Sequence, residues 1–599
     1  MMQRRVSTDL IDAAPHGLRQ YALLADGERG ALVGPRGDIA FMCAPGWHDD
    51  AVFSTLLGGS GMYVVHPADD RFVWGGHYDQ DSLIWRSRWI TSDSEIECRE
   101  ALAFPGDPDR AIVLRRIEAA YGDAHVTVAL EVRSGFGVWP MTAHRSESDA
   151  WDGRSGGTHF RWSGVPEHAQ LHDGRLVVDV FVPAGEAYDL VLELSSRPLP
   201  SDLPSPNALW QRTDAAWQAA VPDLSGSVTP GESQHSYAVV RGLTSATGGM
   251  VAAATTALPE RADQGRNYDY RYAWIRDQCY AGQAAAAIGD DALLDDAVGF
   301  VSARVLTDGP NLRPAYTAAG GPIPDQQELS LPGYPGAPVR IGNRVNDQFQ
   351  LDAFGEALLL LAAADNHGRL DDDGRRAVQT LVAAIDKRGD DSDAGIWELD
   401  DRRWAHSRLI CAAGLRAAAA SPSAADPDGW LRMAEHLLDS VDRDCRHPTG
   451  RWQRSPGDDS VDAALLIPGI RGATTPDDSR HAATVEAVVA ELTDDGYVYR
   501  FRQDPHRPLH EAEGAFVLCG FHMALAQLGL GGRESAVRWF ERNRAALGTP
   551  GLFAEEYDVV QRQLRGNLPQ AFVHALLLET AQRLGEAGVS SHGFTARER

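Results

Sequence analysis

The sequence predicts a multidomain protein of β plus α class, in which an N-terminal β-sandwich precedes an (α/α)6 barrel, two concentric rings of six helices. Two observations predict this fold. Residues 20–215 form short segments that alternate apolar and polar side chains, whereas the chain beyond Gln234 forms longer helical runs. With 599 residues, the chain also exceeds the roughly 300 residues that one hydrophobic core supports, so two large domains are expected.

The N-terminal half has the periodicity of β-strands. Segments such as GMYVVHP, AHVTVALEVRS and GRLVVDVFVPAG place β-branched and aromatic residues at every second position, between clusters of Gly, Pro and Asp. Strands at this spacing indicate a sandwich. Two stretches rich in Pro, Ser and Gly, PLPSDLPSPNALW and DLSGSVTPGESQ, mark its end. We therefore predict domains at residues 1–225 and 226–588 and a C-terminal tail at 589–599.

The C-terminal half predicts helices of two alternating kinds. Runs such as AWIRDQCYAGQAAAAIG and EGAFVLCGFHMALAQLGL are apolar on nearly all faces and must be surrounded by protein, whereas DGWLRMAEHLLDSVDRDCR is amphipathic. Such alternation is typical of an inner and an outer ring. Twelve helices are expected, starting near residues 235, 273, 290, 344, 372, 403, 427, 458, 477, 513, 531 and 566.

Composition restricts the class of partner. The net charge of −28 disfavours nucleic acids and anionic membranes, which bind positive surfaces, and favours a small neutral substrate. No run reaches the ~20 apolar residues that span a bilayer, and the N-terminus lacks the apolar run of a secretion signal. The six cysteines are scattered singly, so we expect a cytoplasmic protein without a metal site or cofactor. A homo-oligomer is compatible with the sequence.

Carboxylates, arginines and aromatic residues concentrate where the apolar helices begin. Because these ends share one face of a double ring, they predict a single pocket. Such side chains suit a neutral sugar, whose hydroxyls need charged partners and whose C–H faces lie on rings. Two carboxyl groups could also cleave a glycosidic bond, one as acid and one as base. The segments are NYDYRYAWIRD, QFQLDAFGE, GIWELDD, DDSVDAA, YRFRQ through EAEGAF, and AEEYD through RGNLPQ.

These motifs, in this order over nearly the whole chain, resemble the glucoamylase-like family 15 of glycoside hydrolases, which includes glucodextranases and bacterial trehalases. The resemblance implies a β supersandwich followed by an (α/α)6 barrel, the division that periodicity predicts independently. It implies an inverting exo-acting hydrolase that releases β-glucose from the non-reducing end of short α-gluco-oligosaccharides. The alternative within the family is a trehalase, which acts on α,α-trehalose.

The resemblance assigns the catalytic pair. Glu398, in the GxWE segment, takes the position of the general acid, and burial beside Trp397 would keep its carboxyl protonated. Glu555, the first glutamate of AEEYD, takes the position of the general base, with Glu556 as the competing choice. The two carboxyls should lie about 6.5–9.5 Å apart, which leaves room for a water molecule beside the sugar.

The resemblance also assigns substrate-binding residues. In the Trp-x-Arg-Asp segment, Arg276 and Asp277 would bind hydroxyls of the terminal glucose, although a buried structural ion pair is the alternative. Asp462 and Glu513 match polar positions of the family without an assigned role. The full set of predicted substrate-binding residues is Trp274, Arg276, Asp277, Asp352, Trp397, Arg502 and Phe516.

Some questions stay open at this point. The segments PGWHDD, around Pro45 and Asp49, and WAHSR, from Trp404 to Arg408, depart from the family pattern, so the leaving-group preference is undetermined. A non-catalytic sugar-binding protein is disfavoured because both glutamates are present, and a phosphorylase because Glu555 occupies the base position. The histidines at 406, 522 and 574 are interpreted as packing or surface residues rather than metal ligands.

Overall fold

The structure, a computed structural model, describes residues 15–261, 265–504 and 506–589. The predicted division into a β domain and a helical domain is confirmed. The N-terminal residues in which we expect no secretion signal, 1–14, and all but the first residue of the predicted tail lie outside the described residues. All six cysteines are buried and free. No helix in the described part of the chain is both long and apolar enough to span a membrane.

The β domain, as described from residue 15 onward, contains sixteen strands in two antiparallel sheets of eight. One sheet has the order β1-β2-β3-β5-β10-β15-β14, with β4 paired to β3, and the other has the order β11-β12-β13-β16-β9-β8-β7-β6. The strands are β1 (Ala22–Ala25), β2 (Gly30–Val33), β3 (Asp38–Cys43), β4 (Ala51–Phe53), β5 (Met62–Pro67), β6 (Val73–Tyr78), β7 (Trp85–Ile90), β8 (Glu95–Leu102), β9 (Arg110–Tyr121), β10 (Ala124–Glu131), β11 (Met141–Arg145), β12 (Trp151–Ser155), β13 (Thr158–Ser163), β14 (Gln170–His172), β15 (Arg175–Val182) and β16 (Ala187–Ser195).

The two sheets pack through the residues that the alternation predicted to face inward. Val126 and Val128 of β10 lie in one apolar cluster with Val178 of β15 and with the large rings of Trp89 and Trp162. Burying such side chains stabilises the domain by roughly 1.5–3 kcal/mol each. The β domain therefore has a hydrophobic core of its own.

The helical domain has a closed inner ring. Successive inner helices contact each other, and the last contacts the first, in the order α3, α5, α7, α9, α12, α14. The helices are α1 (Pro206–Ala220), α2 (Pro230–Leu243), α3 (Ile275–Ile288), α4 (Asp291–Asp308), α5 (Asp352–Asn366), α6 (Asp372–Arg388), α7 (Ala405–Ala420), α8 (Pro427–Cys445), α9 (Ile467–Ile470), α10 (Ser479–Glu491), α11 (Leu509–Ala512), α12 (Val517–Gly529), α13 (Arg533–Arg544) and α14 (Ala571–Glu586).

The outer ring consists of α2, α4, α6, α8, α10 and α13, so the two rings together account for the twelve predicted helices. The eighth is much shorter than predicted, because only a 3-10 turn (Ala463–Leu466) and the four residues of α9 are helical. Pro468, in the first turn of α9, has no N–H to bond back into the 3-10 turn, and Gly472 ends the helix with a φ of +81°. The fourth starts at Asp352 rather than near 344.

The helix α1 is an element that the sequence patterns did not predict. It starts at Pro206 behind the cap Ser205, whose side chain accepts a hydrogen bond from the Ala208 amide. It packs on the β domain, where Trp210 Nε1 donates to Asp189 at 3.0 Å. The predicted boundary at residue 225 falls between α1 and α2.

In the described part of the helical domain, nine short strands lie in the loops at the ends of the barrel helices. β17 (Ala273–Trp274) leads directly into α3, and β23 (Ala515–Phe516) leads into α12. The others are β18 (Ala315–Tyr316), paired with β17; β19 (Gln327–Leu329), paired with β20 (Val339–Ile341); β21 (Thr493–Asp494), paired with β22 (Tyr497–Val498); and β24 (Glu556–Asp558), between β23 and β25 (Gln563–Arg565).

One buried arginine ties the β domain to the segment that precedes α3. Arg271 pairs with Asp269 at 2.7 Å and donates to the backbone oxygens of Trp47 and Asp49, at 3.3 and 2.8 Å. It also contacts Cys43 Sγ at 3.1 Å. The loop that departs from the family pattern, PGWHDD, is thus fixed against the helical domain at the entrance to α3.

Candidate active site

The structure gathers most of the predicted site residues where inner helices begin. Trp274 is the N-cap of α3, Asp352 is the first residue of α5, and Phe516 is the N-cap of α12. Glu398 lies in the loop before α7, and Glu555 directly precedes β24. Because these positions share one end of the barrel, their side chains can act on one ligand.

Glu398 lies at the centre of a set of donors. Its Oε1 accepts hydrogen bonds from Trp274 Nε1 at 2.7 Å and from Gln350 Nε2 at 3.2 Å, and Arg276 Nη2 lies 3.8 Å away. The side chain is 27% exposed, so a ligand can reach it. Its φ of +54° is in the left-handed region, which a non-glycine residue rarely adopts. Such strain is concentrated at functional sites.

The loop that carries Glu398 is held by a buried carboxyl group. Asp393 Oδ1 accepts from Gly395 N at 2.7 Å, Leu351 N at 3.4 Å and Ser407 Oγ at 2.9 Å. Its Oδ2 is buried and makes no hydrogen bond to a described residue. Burial, together with repulsion from Asp352, raises the pKa of Asp393 to about 8.

Replacing Asp393 by asparagine is expected to change the pH dependence of stability. An unfolded aspartate titrates near pH ~4, so folding retains a proton, and the wild type loses stability as the pH rises from about 4 to about 8. Asparagine does not titrate. The Tm of Asp393→Asn relative to the wild type should therefore increase across this range. Thermal unfolding at a series of pH values measures this difference in Tm, with the exposed Asp401→Asn as the control. If the difference between Asp393→Asn and the wild type did not change with pH, Asp393 would not have a raised pKa in the folded protein.

Arg276 connects Glu398 to the floor of the site. Its Nη1 donates to Gln350 at 2.8 Å and to Asp352 at 3.2 Å, and both acceptors are buried. Asp277 is buried beside it, and burial raises the pKa of Asp277 to about 7, although Arg276 opposes the shift. Arg276 thus has two carboxyl groups within 4 Å, those of Asp352 and Glu398, and Asp277 close by, so the site joins positive and negative groups that can bind sugar hydroxyls.

The adjacent glutamates 555 and 556 point in different directions. Glu555 Oε1 accepts from the Tyr270 hydroxyl at 3.1 Å, whereas Glu556 Oε2 accepts from Gly514 N at 2.8 Å. Burial and the nearby Glu260 raise the pKa of Glu555 well above its usual value, and Arg500 opposes this. Of the two glutamates, Glu555 is the one connected to Glu398, through the contacting side chains of Tyr270 and Trp274.

Two contacting rings link the two candidate carboxyls. The Tyr270 ring lies edge-on against the Trp274 ring at 5.5 Å, and these residues bond to Glu555 and Glu398, respectively. Burial, followed by repulsion from Glu555, Glu260 and Glu398, raises the pKa of Tyr270 well above its usual value. Both carboxyls are therefore within electrostatic reach of one hydroxyl group. Tyr270 lies in a motif that the sequence identified, but its role was not predicted.

The predicted aromatic residues meet around an arginine. Trp397 and Phe516 contact each other at 5.2 Å, and the Arg500 guanidinium lies 5.6 Å and 4.7 Å from their rings. Trp397 Nε1 also donates to Asp462 at 2.8 Å. Asp462 therefore orients Trp397, and it is itself paired with Arg454.

Arg502 does not join this set. Its guanidinium donates to the backbone oxygens of Arg507 and Glu491, at 3.0 and 3.1 Å. Arg500, two residues earlier in the same YRFR motif, lies among the site residues instead and pairs with Glu513 at 2.6 Å. The motif contains both arginines, and only the tertiary contacts distinguish them.

The predicted histidines 406, 522 and 574 are all buried. Burial lowers the pKa of His406 to about 4 and that of His522 to about 3, so both are neutral. The described residues contain no group of three or more His, Cys, Asp or Glu side chains that could hold a metal ion.

A model of the glycosyl hydrolases family 15 matches residues 236–582, which include most of the helical domain and both candidate carboxyls. The chain belongs to this family. It is a glycoside hydrolase. A second model, of the N-terminal domain of trehalase-like proteins, matches residues 4–160 of this family-15 enzyme.

Similar proteins cover nearly the whole chain. Trehalases of Mycolicibacterium smegmatis and Mycobacterium tuberculosis are each 27% identical over 94% of this chain and over 90% and 88% of their own lengths. A trehalase of Thermoplasma acidophilum is 26% identical over 93% of this chain and 98% of its own. A bacterial glucoamylase complexed with acarbose superimposes with a TM-score of 0.69, covering 96% of this chain and 94% of its own at 13% identity, which shows a shared fold.

Proposed function

We propose that this family-15 enzyme is a trehalase that hydrolyses α,α-trehalose with inversion. Between the two substrates that the sequence left open, the similarity to proteins named trehalase along almost their full lengths supports trehalose over short α-gluco-oligosaccharides. The match of the trehalase-like N-terminal model supports the same choice. An exo-acting α-glucosidase remains the second candidate, because the fold is shared with a glucoamylase.

In the proposed mechanism, Glu398 is the general acid. Its carboxyl group gives a proton to the glycosidic oxygen, and the bond from this oxygen to the anomeric carbon breaks. The carboxylate that forms can be stabilised by the donors already around it, Trp274 Nε1 and Gln350 Nε2. One glucose unit leaves with its α configuration unchanged.

Glu555 is the general base in this proposal. It takes a proton from a water molecule as the water oxygen attacks the anomeric carbon from the face opposite the leaving group. Inversion then gives β-glucose from the attacked ring. The hydrogen bond from Tyr270 orients the carboxylate of Glu555 for this step.

The remaining residues would hold the attacked glucose ring. Arg276, Asp277 and Asp352 would bind its hydroxyls, because these buried groups lie together next to Glu398. The rings of Trp274, Trp397 and Phe516 would bound the sugar's C–H faces. Arg502, which faces away, is left out of this set.

Glucose release from a panel of trehalose, maltose and isomaltose tests the substrate. The proposal expects release from trehalose in the absence of added phosphate, at a kcat/KM well above that for either other disaccharide. Release from maltose or isomaltose alone would replace it with the exo-α-glucosidase. Dependence on phosphate would indicate a phosphorylase, and binding without release would indicate a sugar-binding protein.

A further inference from the structure

Four buried glutamates crowd around two guanidinium groups next to the proposed base. Glu260, Glu513, Glu555 and Glu556 are each no more than 5% exposed. Among the described ion pairs, only two arginines, Arg500 and Arg266, lie within 4 Å of a carboxylate oxygen of these glutamates. Since buried like charges repel strongly, four carboxylates cannot all be ionised with two positive partners.

The shortest ion pairs belong to Glu513. Its Oε2 lies 2.6 Å from Arg500 Nη2 and 3.3 Å from Arg266 Nη1. Glu260 and Glu556 are each 3.6 Å from the same Arg500 nitrogen. Glu513 is therefore the ionised partner of both arginines. The positive charge of the two arginines is then too small to stabilise the other three carboxyl groups all in the ionised form.

Glu260 lies beside Glu555, and after burial its charge is the largest cause that raises the pKa of Glu555. Two carboxylates this close repel each other, so a hydrogen bond between the two groups needs one shared proton. On Glu555, Oε1 is occupied by Tyr270, while Oε2 is buried without another donor among the described residues. Gly566 lies against Glu555 Oε2 and the Glu260 side chain together, which places this oxygen on the side of Glu260.

We propose that Glu260 is a positioning residue that is protonated in the active enzyme and donates a hydrogen bond to Oε2 of Glu555, holding that carboxylate ready to accept the proton of water. This inference rests on the proposed function of Glu555 as the base. Burial raises the pKa of both carboxyl groups, that of Glu555 included. The hydrogen bond that the Tyr270 hydroxyl donates to Glu555 Oε1 favours the charged form of Glu555, which leaves the shared proton on Glu260. The titratable and charged groups that face the pair are Arg266, Tyr268, Tyr270, Arg500, Glu513 and Glu556.

The proton balance closes without another reactant. Before attack, the pair holds one proton, on Glu260. After attack, Glu555 holds the proton taken from water, and Glu398 has given its own to the leaving oxygen. One proton from the pair then passes to solvent and one returns from solvent to Glu398, which restores the starting state.

Three variants of the full-length enzyme test the proposal. Glu260→Gln keeps a neutral hydrogen-bond donor, so kcat should fall less than about tenfold. Glu260→Leu removes the donor at similar volume, so kcat should fall about 100-fold with KM nearly unchanged. Glu513→Gln, which removes an ionised partner, should lower the Tm, whereas Glu260→Gln should not.

Infrared spectroscopy gives a readout that does not depend on turnover. The difference spectrum of the wild type minus Glu260→Gln should contain a C=O band of a protonated carboxylic acid. Equal loss of kcat in Glu260→Gln and Glu260→Leu, or a difference band of a carboxylate, would overturn the proposal. If Glu260→Leu does not fold, the infrared band and the Tm of Glu260→Gln decide. If Glu555 were not the base, Glu555→Gln would stay active. This result would distinguish failure of the base assignment from failure of the proposal for Glu260.

Discussion

Replacing Glu555 by glutamine is expected to lower kcat on trehalose by roughly 10³-fold. Glutamine has nearly the same shape and can keep the contact with the Tyr270 hydroxyl, but its amide cannot accept a proton from water. General-base catalysis contributes about 10²–10⁴-fold to such reactions. KM should change little, because the amide still fills the same space. Steady-state kinetics at a fixed pH measures both constants.

The neighbouring Glu556→Gln is the matched control for this variant. Its side chain accepts a hydrogen bond from Gly514 N, whereas the Tyr270 hydroxyl donates to Glu555, so a loss of kcat below about tenfold is expected. If Glu556→Gln were the inactive variant and Glu555→Gln remained active, the assignment of the base would be reversed.

Glu398→Gln is expected to have a comparably large effect that depends on the leaving group. On trehalose, kcat should fall roughly 10³-fold, because the departing sugar oxygen needs a proton. On α-D-glucosyl fluoride the loss should be below about tenfold, because fluoride leaves without protonation. Rates on the two substrates, each divided by the wild-type rate, measure this difference.

The exposed Asp400→Asn, two residues further along the same loop, is the control and should behave like the wild type on both substrates. Equal losses on trehalose and on the fluoride in Glu398→Gln would mean that Glu398 positions the sugar instead of donating a proton. The contacts with Trp274 and Gln350 would then be the reason for its placement.

Much of the fold could be predicted from periodicity, because burial imposes it directly on the sequence. The runs around α3 and α12 are apolar on all faces since these helices are enclosed by the outer ring. The departures arise where local chemistry overrides the pattern. Pro468 and Gly472 limit the eighth helix, and Ser205 with Pro206 starts a helix in a stretch that looks like a linker.

The candidate site could be predicted only as far as the family resemblance extends. The choice between Glu555 and Glu556 depends on how the chain enters β24, which no local pattern encodes. The same holds for Arg500 and Arg502 in one short motif. Glu260 was missed because its neighbours, Arg500 and Glu555, come from distant parts of the chain and meet it only in the folded protein.

The stereochemistry of the first products tests the central claim, that Glu398 and Glu555 act as acid and base on opposite faces of one sugar. Proton NMR of trehalose hydrolysis, recorded before the anomers interconvert, distinguishes the two outcomes. Inversion predicts α-glucose and β-glucose in equal amounts, the α anomer from the leaving group and the β anomer from the attacked ring. Release of α-glucose alone would mean retention and would contradict the account.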